Sequence, residues 1–351
     1  MRPPPGPGHA PGPARFIARS GGRSRPLRCL HTDPDGPSIV MFHEGAFLQW
    51  PGLLRSGLLD SRTHLLFTFS WNQGAGQLRT LRGRLEQAVA GAGADPALAR
   101  DQVTLLMNSE REVADARAAF PGFRVLHFNN AALLDEESIR ILPTPRLYRA
   151  VLNSKPLAFK RHHLSRLVGG TLFITYDVNE PDHGRTARVV LEDCGPAGIV
   201  RNQPPERVVA LLNSSEVGLI LSAAEGACYA SLEYLLCGLP VVSTPSLGGR
   251  DAFYDAANAI IVEPKAEAVR DGVALALRRL REGEMDREAI RREAVARMAG
   301  FRRVLAGEVA RILEGHGRRV PDGMAWLTDL LRRDSKLREH RNFWVQEVEA
   351  A

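Results

Sequence analysis

Residues 216–249 read EVGLILSAAEGACYASLEYLLCGLPVVSTPSLGG. Val217 to Leu221 is a short apolar run that suits a strand covered on both faces of a parallel sheet. The loop Ser222-Ala223-Ala224-Glu225-Gly226 follows it. From Ala227 to Cys237 the spacing predicts a helix with Tyr229, Leu232, Leu235 and Leu236 on one side. Gly238 ends that helix as a C′ glycine. Pro240 to Thr244, rich in β-branched residues, predicts a second strand, and Gly248-Gly249 a turn. Strand, acidic loop, helix and strand form one βαβ unit.

Such a unit places its loop and helix N-terminus at the carboxyl edge of the sheet, where open α/β folds bind ligands. The unpaired N–H groups of a first helical turn suit a phosphate oxygen. Glu225 stands just before the helix and Glu233 two turns inside it, and carboxylates accept hydrogen bonds from sugar hydroxyls. An anion site flanked by two carboxylates fits a phosphorylated sugar. The plainer alternative, a core βαβ unit with two solvated glutamates, stays open at this level.

The run from Glu225-Gly226 through Glu233, with Leu236-Cys237-Gly238-Leu239-Pro240-Val241-Val242-Ser243-Thr244 and Gly248-Gly249, resembles the signature of retaining glycosyltransferases of family 4 (glycosyl transferases group 1) with its E-x7-E motif. The resemblance is specific over about 149 to 265 and looser over 102 to 137. It implies an α/β chain of GT-B type, with two Rossmann-like domains facing across a cleft. Lys155 and Lys160 match, residue by residue, the basic pair that grips the donor diphosphate in that family. Lys155 stands where arginine is more usual and would act as a point charge, not a bidentate fork. The residues alone point the same way: Lys155, Lys160, Arg161 and His162 crowd an expected helix start, where the dipole disfavours cations and an anion would relieve them. A solvated basic turn is the alternative.

The same resemblance implies further roles. Lys155, Lys160 and Glu225 become the catalytic residues, with Glu225 on the sugar hydroxyls and Glu233 on the ribose. Gly226, Ala227, Cys228, Ser231 and Leu232 become donor contacts around the helix N-terminus, and Asn202 lies in the loop against the base. His43, after the strand Ser38 to Phe42, is the nearest match to a histidine that touches the transferred sugar. Ser70-Trp71-Asn72-Gln73-Gly74 is an equally good loop for an acceptor, since an aromatic face beside amides suits a sugar.

The implied reaction is transfer of a hexose from a nucleoside diphosphate sugar to an acceptor hydroxyl with retained configuration. It needs no cofactor and no metal, and the acceptor is a glycan, a lipid-linked molecule or a small molecule. Alternatives are a sugar-nucleotide epimerase or phosphorylase on the same fold, or a non-catalytic GT-B-like binding or scaffold subunit. A nicotinamide dehydrogenase is disfavoured, because Gly74-Ala75-Gly76 lacks a third glycine and Arg79 stands in its place.

The chain has 351 residues, enough for two α/β domains. Its net charge of +6 favours anionic partners, and no motif points to nucleic acid. Cys29, Cys194, Cys228 and Cys237 show no C-x-x-C pairing, which suits a reducing cytoplasm. Residues 1–33, rich in Pro, Gly and Arg, read as a disordered tail, and its arginines make a peripheral contact with anionic lipid at the inner membrane face one candidate. An abbreviated amino-terminal domain is expected over 34–147, with strands Ser38 to Phe42, His64 to Phe69, Gln102 to Met107 and Phe123 to Phe128. The nucleotide-sugar domain is expected over 148–335, opening with a strand, turn and helix and closing with separate helices Arg287 to Ala299 and Val304 to Glu314. A terminal helix crossing back is expected over 336–351.

Overall fold

The computed structural model describes residues 28–31, 36–43, 62–91, 93, 95–176, 191, 193–318, 322 and 325. The expected tail before residue 28, the loop Glu44 to Ala46 and the terminal helix over 336–351 lie outside the described residues. Among the described residues the chain forms two compact units: one holds those up to Asn130 and those from Phe301, the other Ala131–Gly300. No described helix is long and apolar enough to cross a membrane.

The first unit carries a five-stranded sheet in the order β1-β2-β3-β4-β5. Its strands are β1 Arg28–His31, β2 Ser38–His43, β3 Thr63–Thr68, β4 Val103–Met107 and β5 Arg124–His127. β1 runs antiparallel to β2 and the other pairs are parallel. Arg28–His31 was expected to fall in the tail. It is a strand, bulged between Cys29 and His31, and Leu30 is buried. Helices α1 Ala75–Gly91 and α2 Pro96–Gln102 connect β3 to β4, and α3 Glu110–Ala119 connects β4 to β5.

The start of α3 follows from its sequence. Ser109 accepts from the Glu112 N–H, the Glu112 carboxylate accepts from the Ser109 hydroxyl at 2.9 Å, and the same carboxylate accepts from Gln73 N–H at 2.8 Å. This capping box therefore also fixes the loop after β3. Burial pushes the Glu112 carboxyl above its ordinary value.

The second unit is a six-stranded, all-parallel sheet in the order β11-β10-β9-β6-β7-β8. The strands are β6 Tyr148–Asn153, β7 Thr171–Thr175, β8 Gly198–Arg201, β9 Ser215–Ile220, β10 Val241–Ser243 and β11 Ala259–Ile261. Read outward from β6, this is the 3-2-1-4-5-6 order of a doubly wound fold, and its direction reverses between β6 and β9. Helices α4 Pro205–Asn213, α5 Tyr229–Leu236 and α6 Ala266–Arg281 lie between the strands or after them.

α5 packs on β9 at very close range. A Cβ on Gly218 would stand 2.2 Å from the Tyr234 ring, so only glycine fits there. Gly238 has φ 69° and closes α5, as the sequence indicates. The expected pair of helices after residue 286 is one helix, α7 Arg287–Gly315. No proline interrupts it, and Gly300 is accommodated without a break. Its residues to 300 belong to the second unit and those from 301 to the first. In the first unit, buried Glu308 on α7 accepts from Thr104 on β4 at 2.8 Å and pairs with Arg124 on β5.

Candidate functional site

The carboxyl ends of β6 and β9 flank the switch point of the second sheet. β6 ends at Asn153, which is 5% exposed and has its main-chain N–H, Nδ2 and Oδ1 engaged. Its main-chain N–H donates to Tyr234 Oη at 2.6 Å, and its amide Nδ2 donates to Glu233 Oε2 at 3.2 Å. Its Oδ1 accepts from Tyr176 Oη at 3.1 Å. Burial pushes the Tyr176 phenol up to about 12 and holds that of Tyr234 well above its usual range, so both are neutral donors or acceptors near pH 7.

Beside this network opens a cavity of about 370 Å³. Asn153, Lys155, Tyr176, Gln203, Tyr229 and Glu233 supply its polar lining, while Ile139, Val208, Val209 and Leu212 form an apolar wall. Lys155 is exposed and has no ion-pair partner among the described residues. An exposed ammonium, a braced carboxylate and an apolar wall together suit an anion joined to a hydroxylated ring and a flat apolar group.

Lys160 and Glu225 form a second cluster in the same unit. The Lys160 ammonium lies 2.5 Å from Glu225 Oε1, and 5.2 Å from the centroid of the Phe159 ring. Glu225 is held from behind by a short parallel bridge. Its N–H donates to Leu247 O at 2.9 Å, Leu247 N–H donates to Ala223 O at 3.1 Å, and Gly249 N–H donates to Gly226 O at 3.0 Å.

The turn from Lys155 to Val168 differs from expectation. It is not an α-helix but two 3-10 turns, Ala158–Lys160 and His162–Ser165. Arg161 between them has φ 54°, which no α-helix accommodates. The cations there consequently do not sit on a helix dipole. His162 is buried against the Phe173 ring, with Nε2 3.0 Å from Ser154 Oγ, and burial lowers its pKa to about 4. It is neutral near pH 7 and adds no charge to the cluster.

The helix after Glu225 also begins later than expected. α5 starts at Tyr229, with Cys228 as its N-cap at φ 52°. Ala227 and Cys228 therefore lead into the helix, and its first-turn N–H groups belong to Tyr229 and the residues after it. A helix N-terminus lowers a thiol pKa, yet burial, helped by the Glu225 charge, raises that of Cys228 to about 12. Gly226 and Ala227 are buried. The Ser231 hydroxyl turns inward, 2.7 Å from Tyr254 Oη, and Leu232 is in the core. Asn202 has φ 48°, its N–H donates to Thr175 O at 3.0 Å, and its neighbour Gln203 reaches the cavity. His43 is the last residue of β2 and not part of the following loop.

The structure thus gathers Lys155 and Glu233 in one cavity and Lys160 and Glu225 in one ion pair. It leaves Ser231 and Leu232 with buried side chains. Asn153, Tyr176, Gln203 and Tyr229 are the polar cavity residues to which the sequence reading gave no individual role. The signal for Asn153 was a polar residue ending a strand beside the switch point.

Residues 198–294 match the family model Glycosyl transferases group 1. That span runs from β8 into α7 and contains Glu225, α5, Glu233 and the Gly248-Gly249 turn. No curated protein matches the chain. Among solved structures, Anabaena Alr3699/HepE in complex with UDP is similar at TM-score 0.57 and 14% identity, over 77% of this chain and 78% of that one. Sucrose-phosphate synthase from Thermosynechococcus elongatus is similar at TM-score 0.53 and 14% identity, over 78% and 74%. An alpha,alpha-trehalose-phosphate synthase (UDP-forming) from Burkholderia vietnamiensis is similar at 0.53 and 11%, over 80% and 74%. At these identities the likeness is one of fold, and the fold is GT-B type, with two Rossmann-like units.

Proposed function

We propose that this chain is a retaining glycosyltransferase that moves a hexose from a nucleoside diphosphate sugar to an acceptor hydroxyl without a divalent metal. One observation carries the reading: at the switch point of the second sheet, the free Lys155 ammonium and the Asn153-braced Glu233 carboxylate share one half-apolar cavity. The group 1 match over the same elements supports it, as do the HepE structures described with UDP, with UDP and glucose, and with UDP-glucose.

In this reading the base lies against Val208, Val209 and Leu212, and the ribose hydroxyls donate to Glu233. Lys155 and Lys160 face the diphosphate, and the hexose hydroxyls draw on Glu225. The acceptor oxygen approaches the anomeric carbon from the leaving-group face as the bond to the phosphate oxygen breaks. Its proton passes to that departing oxygen. Negative charge grows on the phosphate, where two ammonium groups and the first-turn N–H groups of α5 stabilise it. These charges take the place a metal ion would otherwise fill.

The test is proton NMR of slow donor hydrolysis, with UDP-glucose as the probe and a chelator present. Release of α-glucose, unaffected by the chelator, is the expected result. Release of β-glucose would overturn retention. Donor binding with neither hydrolysis nor transfer would favour the binding-subunit alternative.

A further inference from the structure

The largest fully buried side chain in the described structure is a charged one, Arg250, at 0% exposure. It follows the Gly248-Gly249 turn, where an arginine is ordinarily solvated. Its Nη1 donates to Ser222 O at 2.9 Å, just past β9, and its Nη2 donates to Thr244 O, just past β10. Its Nε donates to Asp251 Oδ1 at 2.6 Å. Its own carbonyl oxygen accepts from Ser231 Oγ, in the first turn of α5, at 3.3 Å. One residue thus ties together the ends of two strands and the start of the helix. Glu225 lies on the segment between Ser222 and that helix.

We infer that Arg250 is a positioning residue for transfer: its buried fork fixes the Ser222 and Thr244 carbonyls and so aims Glu225 and the α5 N-terminus at the donor, without touching the donor itself. The inference rests on the proposed transferase reading. Three features argue for it over a packing role. A planar guanidinium reaches two divergent carbonyls at once, which a lysine ammonium does not reproduce. Burying a charge is unfavourable unless each donor is used, so an apolar residue would serve packing alone equally well. The carbonyls it holds bound the segment that presents Glu225 and the start of the loop that braces it, not the sheet core.

The test uses the full chain with Arg250→Lys, Glu225→Gln and the double variant. Arg250→Lys is expected to lower kcat at least tenfold in the parent protein and by a clearly smaller factor in the Glu225→Gln background, because part of the arginine's effect runs through Glu225. Equal losses in both backgrounds would overturn the inference. Amide exchange is the readout that does not need turnover. Arg250→Lys is expected to speed exchange at Glu225, Leu247 and Gly249, and to leave the β6 and β7 amides unchanged. Unchanged exchange at those three amides would overturn it. If the parent protein turns over no donor, the transferase reading falls and the exchange result alone decides the positioning role. If Arg250→Lys does not fold, Asp251→Ala, which removes the carboxylate that accepts from the guanidinium Nε, is read in the same two ways.

Discussion

Lys160 and Glu225 form a shielded ion pair: Nζ lies 2.5 Å from Oε1, with side chains 16% and 7% exposed. Each therefore neutralises the other. In the proposed reading a diphosphate arriving at Lys160 would release Glu225 toward sugar hydroxyls, so that neither charge is left bare.

Removing one partner of this pair strands the other. Lys160→Ala is expected to destabilise the folded protein by about 3 kcal/mol, the usual effect of leaving a buried charge alone. Lys160→Met combined with Glu225→Gln is expected to recover most of that loss and none of the turnover. Urea unfolding and donor turnover of the two variants and the parent protein check this. Equal stability of Lys160→Ala and the parent protein would show that the pair is solvated.

Gly218→Ala tests the seat of α5. The added methyl would overlap Tyr234, whose hydroxyl accepts from the Asn153 N–H, so the ring cannot swing aside without breaking that bond. A loss of about 3 kcal/mol is expected, at the upper end for overpacking. Thermal unfolding measures it, and a change under 1 kcal/mol would mean that α5 shifts freely.

Acid sensitivity should trace in part to His162. Its pKa is near 4 in the folded protein, against an ordinary value of 6.5 in the unfolded chain. Between these values the unfolded chain binds the proton and the folded one does not. Stability is therefore full above pH 6.5 and falls as the pH drops toward 4, by about 3 kcal/mol in all. His162→Leu should flatten that part of the profile, and the half-buried Ser154 hydroxyl can turn to water. Unfolding free energies at several pH values decide it; an unchanged slope would mean that the ring is protonated in the fold.

Asn153→Ala should weaken the donor site without unfolding it. The amide donates to Glu233 and accepts from Tyr176, and a hydrogen bond to a charged group contributes about 1.5–3 kcal/mol. A rise in donor KM of about tenfold or more is expected. An unchanged KM would separate Glu233 from ribose recognition.

Much of this architecture was legible in the sequence. β3, β4 and β9 are apolar runs that tolerate burial on both faces. Glu225 and Glu233 stood out through the βαβ unit around them. The basic turn misled because helical spacing of its side chains says nothing about the left-handed backbone at Arg161. Arg250 was silent for a related reason. A charged residue after a Gly-Gly turn reads as solvent-exposed, and only the convergence of two strand ends buries it. α7 was divided by the sequence reading because small residues near Gly300 blur its apolar stripe, while nothing in its backbone requires a break.

In the proposed reading the cavity beside Asn153, Lys155 and Glu233 takes a nucleoside diphosphate. Calorimetric titration of UDP, followed by other nucleoside diphosphates, into the parent protein and Glu233→Ala tests it most directly. Saturable binding that weakens about tenfold or more in the variant is the predicted result. Absence of binding by any nucleoside diphosphate, or equal affinity in the two proteins, would contradict it.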